Sequence, residues 1–103
     1  MNNWTGSSHY GLAEDTTYDG EGKQYVITID FAANDEFKID DSATVWASPE
    51  YGYGAVEEGC RELLIAGAND NANIKIKDAG NYTIYFKTST NTMWIALNPQ
   101  TNA

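Results

Sequence analysis

Apolar and polar residues alternate along several short stretches of this chain, and a period of two sends successive side chains to opposite faces of a β-strand. In Gln24 to Phe31, QYVITIDF, the residues Tyr25, Ile27, Ile29 and Phe31 alternate with Gln24, Val26, Thr28 and Asp30. This is the pattern of a half-buried strand, bounded by the turn-rich YDGEGK before it and AAND after it. The same reading predicts strands over Glu36–Ile39, Ala43–Trp46, Asn73–Lys77, Asn81–Thr88 and Thr92–Leu97, with hairpin-like turns at KDAG and STN. Predicted core positions are Tyr25, Ile27, Ile29, Phe31, Phe37, Ile39, Val45, Ile74, Ile76, Tyr82, Ile84 and Phe86.

The stretch Ala55–Ala66, AVEEGCRELLIA, does not alternate. Its EEGCRELL portion fits either one or two helical turns, in spite of Gly59, or a segment wrapped along a sheet edge. The polar ending NPQTNA reads as a frayed tail. Short strands at regular spacing, joined by tight turns and without an internal repeat or linker, predict one all-β domain over residues 1–103. Its expected architecture is an immunoglobulin-like antiparallel β-sandwich.

Charge narrows the partners. With 15 acidic residues against 6 basic ones the 103-residue chain carries a formal charge of −9, which repels a phosphate backbone and an anionic membrane alike. Nucleic acid is therefore not expected as a partner, whereas a neutral ligand such as a sugar meets no electrostatic penalty. Cys60 is the single cysteine, so neither an internal disulfide nor a cysteine-based zinc site is available. No stretch approaches the roughly 20 apolar residues of a membrane span. The start MNNWTGSSHYG has neither the basic nor the apolar region of a signal peptide, so an export signal is expected outside these residues.

In EFKI, alternation sends Phe37 and Ile39 to one face and Lys38 to the other, and in ATVW an inward Val45 turns Trp46 outward. Lys38 and Trp46 are thus expected on the outer face of one hairpin. A flat indole beside a long hydrogen-bond donor suits a pyranose, which offers C–H groups to an aromatic face and hydroxyls to the polar groups around it. Tyr51 and Tyr53 follow in the EYGYG loop. They either extend such a platform or build a turn in which a tyrosine packs over backbone bared by glycine.

The succession MNNW, DEFKI, Trp46 followed by EYGYG, then NANIKI and AGNYTIYF resembles, over nearly the whole chain, the starch-binding β-sandwich modules of gut bacterial starch-utilisation proteins and amylases. These are more distantly similar to the glycogen-binding domain of the AMP-activated kinase. The resemblance implies an aromatic platform of Trp4 and Trp46, with Lys38 and Asn73 reaching sugar hydroxyls and Asn71 as the alternative to Asn73. It implies starch or another α-1,4-glucan as partner, and an extracellular or bacterial cell-surface setting as one module of a larger protein; the residues themselves lead to no expected cofactor or metal. Members of the family carry a strand before the NNW element, and the stretch Ala55–Ala72 is longer than their shorter loops.

Other candidate chemistry is sparse. In TMWIAL, Met93, Ile95 and Leu97 share one face and Trp94 and Ala96 the other; Trp94 either packs under a loop or Tyr85, or stands exposed. NDNAN sets oxygen ligands at alternate positions but contains Asp70 as its sole carboxylate, too few for a calcium loop. His9 stands alone in a polar leader, Cys60 has no neighbouring base, and no serine sits in a nucleophile-elbow motif. A non-catalytic glucan-binding module is the expected function. The alternative is a structural spacer or adhesion module of immunoglobulin-like type without sugar binding.

Overall fold

The computed structural model describes residues 2–3, 8–40 and 50–99. In chain order the strands are β1 (Asn2–Asn3), β2 (Ser8–His9), β3 (Ala13–Glu14), β4 (Gln24–Phe31), β5 (Glu36–Asp40) and β6 (Glu50–Tyr51). They continue as β7 (Leu64–Ile65), β8 (Ile74–Ile76), β9 (Gly80–Lys87) and β10 (Thr92–Leu97). The expected strand Ala43–Trp46, with the core position Val45, lies outside the described residues.

Two antiparallel sheets form. The first has the order β2-β1-β5-β8-β7, with β6 also paired to β5, and the second has the order β10-β9-β4-β3. β4 and β9 zip together from Gln24↔Lys87 to Phe31↔Gly80, and β9 pairs on its other side with β10 from Thr92↔Lys87 to Leu97↔Tyr82. Inward positions from both sheets meet in one core. Phe31, Tyr82, Ile84, Phe86, Met93 and Ile95 of the second sheet, with Phe37, Ile39, Leu64, Ile74 and Ile76 of the first, are all buried. Phe31 of β4 stacks on Phe37 of β5 with ring centroids 5.1 Å apart, which ties the sheets face to face. The fold is thus all-β and an antiparallel sandwich, as the alternation predicts. Ile27 and Ile29 pack against this core while remaining partly exposed.

A buried phenol needs a partner for its hydroxyl, and Tyr82 finds one by donating to the Asp78 carbonyl at 2.6 Å. Burial, and secondarily the charge of Asp78, raises its pKa above the ordinary value. Asn91, with φ 53°, takes the left-handed turn position of the β9–β10 hairpin, where STN was expected. KDAG behaves differently from the expected hairpin: it carries the chain from β8 in the first sheet to β9 in the second. Asn98 is likewise not frayed, since its backbone N–H donates to the Asn81 carbonyl at 2.8 Å. Leu97 keeps the inward face, opposite Tyr82, but is exposed because it ends the strand.

The non-alternating stretch turns out to do both things its sequence allows. Tyr53–Ala55 and Glu58–Leu63 form 3₁₀ turns, and the segment runs along the free edge of β10. Glu57 N–H donates to the Met93 carbonyl at 2.9 Å, and the Ile95 N–H donates to Cys60 Sγ at 3.3 Å. Backbone groups that an open edge would leave unpaired are thereby occupied. Val56, Cys60 and Leu64, spaced four apart, bury themselves beneath this seal. Burial is the main reason the Cys60 thiol is pushed up from its ordinary pKa.

Phe37→Ala should remove the ring that joins the two sheets and lower unfolding free energy by about 3–5 kcal/mol in urea denaturation. A loss below about 1 kcal/mol would show that the sheets do not depend on this contact.

Candidate functional site

Of the predicted site residues that are described, Lys38 and Asn73 lie on the outer face of the first sheet, Tyr51 turns to the core side, and Tyr53 and Asn71 lie between β6 and β8. Because Phe37 and Ile39 are buried, Lys38 between them projects to the outer face. Its side chain is only 14% exposed, and Nζ lies 4.0 Å from Glu50 Oε1. The pairing Phe37↔Ile74 sets Asn73, just ahead of β8, abreast of Lys38. Asn73 Nδ2 donates to Glu36 Oε1 at 3.1 Å, so Asn73 is fixed against the same strand that carries Lys38. On the β1 side, Asn2 pairs with Lys38 and Asn3 with Phe37, which places the strand leading into Trp4 beside this row. Lys38 and Asn73 are thus brought together. Trp4 and Trp46 lie outside the described residues.

The tyrosines take structural positions. Tyr51 pairs with Ile39 and turns to the core side, where its ring meets that of Phe86 at 4.9 Å; it is not on the face of Lys38. The Tyr53 ring lies under the Arg61 guanidinium at 4.7 Å. Gly67 approaches that ring so closely that a Cβ there would sit 2.7 Å from the tyrosine Cγ. Arg61 Nε also donates to the Val56 carbonyl at 3.0 Å, so the cation is held within the turn it clamps. This is the arrangement of tyrosine over bare backbone, with Gly67 as the glycine that permits it. Asn71 is exposed in the turn before β8, where its N–H donates to Asn69 Oδ1 at 2.9 Å. The stretch NDNAN is thus a turn entering a strand.

The outer face of the second sheet holds an aromatic row that alternation only half revealed. Registers Trp94↔Tyr85, Tyr85↔Val26 and Val26↔Ala13 align four side chains across β10, β9, β4 and β3. Trp94 is 39% exposed, and its ring edge rests over Gly59, where a Cβ would come within 2.9 Å. Beside this row runs a polar ladder. The hydroxyls of Thr28 and Thr83 are 3.0 Å apart, and Asn98 Nδ2 donates to Thr83 Oγ1 and to Asn81 Oδ1, each at 2.8 Å. Asn81 Nδ2 donates in turn to Asp30 Oδ1 at 2.8 Å. Sequence reading left Trp94 divided between core and surface because period two cannot tell a solvent-facing strand side from one covered by a loop. The signal that could have decided it is Gly59, the bare residue on which the indole leans.

These faces offer aromatic surface and hydrogen-bonding groups but little covalent chemistry. Cys60, the single thiol of the chain, is buried, and its pKa is raised chiefly by that burial and further by the neighbouring charge of Glu57. Among the described residues no three His, Cys, Asp or Glu side chains gather in a way that could hold a metal ion. Among the same residues no helix is long and apolar enough to cross a membrane. No family model, no curated protein and no solved structure matches the chain.

Tyr51→Ala should act on stability through the lost contact with Phe86, lowering it by about 2–3 kcal/mol in thermal or urea unfolding. An unchanged midpoint would show that the ring is free to serve a ligand instead.

Proposed function

We propose that this chain is a non-catalytic carbohydrate-binding module for uncharged α-1,4-linked glucans, such as starch and maltooligosaccharides. The observation that carries the reading is the meeting of Lys38 and Asn73 on one outer face, beside the strand that leads into Trp4. A lysine ammonium supplies donors only and an amide supplies both donor and acceptor, a pairing matched to sugar hydroxyls, which do both. The row is also preset. Glu50 stands beside Lys38 and Glu36 accepts from Asn73, so neither side chain has to be ordered from free rotation when a ligand arrives. Net charge −9 favours a neutral polymer over an anionic one. The resemblance of the sequence to starch-binding modules supplies the glucan class and assigns the stacking role to Trp4 and Trp46. On this reading the chain works at the bacterial surface or outside the cell as one module of a larger protein, holding polysaccharide near that protein's other parts.

Affinity electrophoresis through gels containing starch, cellulose or xylan tests the proposal: retardation by starch alone is expected, and equal mobility in all gels would favour a spacer without sugar binding. Lys38→Met, which keeps the apolar stem and removes the ammonium, should weaken starch retention by about 1–2 kcal/mol. Because it also leaves Glu50 without its cation, some loss of stability is expected, so retention is compared at a temperature where the variant is fully folded by circular dichroism. Retention unaltered by this variant would place the glucan elsewhere than the β5–β8 face.

A further inference from the structure

We infer that the outer face of the second sheet, built on Trp94, Tyr85 and the ladder Thr28–Thr83–Asn98–Asn81–Asp30, is a second contact surface for a neutral glycan chain. The ligand class rests on the function proposed above; the surface itself rests on different residues and a different sheet.

Flatness, charge and fixity point to this occupant. Trp94, Tyr85, Val26 and Ala13 form one row, and Ala96, Thr83 and Thr28 form the next, so the middle of the face has no charged residue in a chain of net charge −9. Lys87 lies at one end of β9, opposite Gln24, and Asp30 at the other end of the face, opposite Asn81. Neither a polyanion nor a polycation finds a field to match it there. A second copy of the chain would bring −9 against −9. The face measures roughly 20 Å by 25 Å from the spacing of four strands and of the eight paired residues of β4 and β9, about 500 Å² in plan and short of the ~800 Å² each partner of a stable pair contributes. An extended polyol needs no more than such a strip.

The chemistry is complementary in detail. Within the ladder, Asn98 uses its Nδ2 toward both Asn81 and Thr83, and Asn81 uses its own Nδ2 toward Asp30 Oδ1. These bonds turn the carbonyl oxygen of Asn98 and the second carboxylate oxygen of Asp30 away from ladder duty and leave them as acceptors for sugar hydroxyls. Thr83 is buried and already accepts from Asn98, so of the paired threonine hydroxyls it is the exposed Thr28 that faces a ligand. Beside them the Trp94 indole is held over Gly59, on the turn that seals β10, so an aromatic face is presented without the cost of ordering it. The two outer faces of a sandwich look in opposite directions, and one short oligosaccharide cannot touch both.

Titration of the ¹⁵N-labelled chain with maltoheptaose, followed by amide and indole shifts, separates the two faces. Saturable shifts are expected at Thr28, Thr83, Tyr85 and Ala96 and at the Trp94 indole. Trp94→Ala should weaken them at least about tenfold while shifts at Lys38 and Asn73 persist. Tyr85→Thr leaves the indole on Gly59 and should weaken the same set, so a folding defect in Trp94→Ala does not decide the matter. Shifts confined to β5 and β8 would overturn this inference and leave the proposed function standing. Shifts confined to the second sheet would sustain it and displace the first site. Silence on both faces would overturn both.

Discussion

The eight-pair register between β4 and β9 is the constraint on which the rest of the molecule depends. Side chains in a strand alternate, so a slip of one residue would expose Ile27, Ile29 and Phe31 and bury Gln24, Thr28 and Asp30. Held in register, β9 presents Tyr82, Ile84 and Phe86 inward and Thr83 and Tyr85 outward, and it passes that choice to β10 through a second six-pair ladder. The core gains a floor for the Phe31–Phe37 stack, and the outer face gains an aligned row of Trp94, Tyr85 and Val26. One alternation therefore makes both the side that stabilises the fold and the side turned away from the core.

Much of this was legible in the order of residues, and the exceptions have physical causes. QYVITIDF and TMWIAL match β4 and β10 to the residue, because strict alternation flanked by turn residues admits little else. Two-residue strands such as β3, β6 and β7 were not read; so short a segment has no period, and its strand character comes from the neighbour it pairs with. Val56, Cys60 and Leu64 were missed as core because their spacing of four belongs to a turn-rich seal, not to a strand. Of the candidate site, the outward face of Lys38 follows from period two, whereas the place of Asn73 beside it comes from the pairing of β5 with β8, which no local pattern shows. Nor does a local pattern show the place of Tyr51, since a tyrosine at the end of a two-residue strand can face either way until its partner Ile39 fixes it inward.

The two outer faces share a logic although they differ in residues. Each carries a strand-borne hydrogen-bonding row fixed by neighbouring carboxylates or amides, Lys38 and Asn73 on one side and the Thr28–Asp30 ladder beside Trp94 on the other. Rigid side chains on paired strands lose little entropy on binding, which suits ligands whose individual hydrogen bonds contribute little net free energy against water. A net charge of −9 opposes self-association of a chain with aromatic surface exposed.

The central claim is that the partner is an uncharged glucan, and its most direct test is calorimetric titration with maltoheptaose at about 20 mM and about 500 mM salt, well on either side of the ~10 Å screening length at 0.1 M. The account predicts measurable heat and the same affinity within about twofold, because no counterions are released when a neutral chain binds. Absence of heat at both salts, or an affinity that collapses at the higher one, would contradict it.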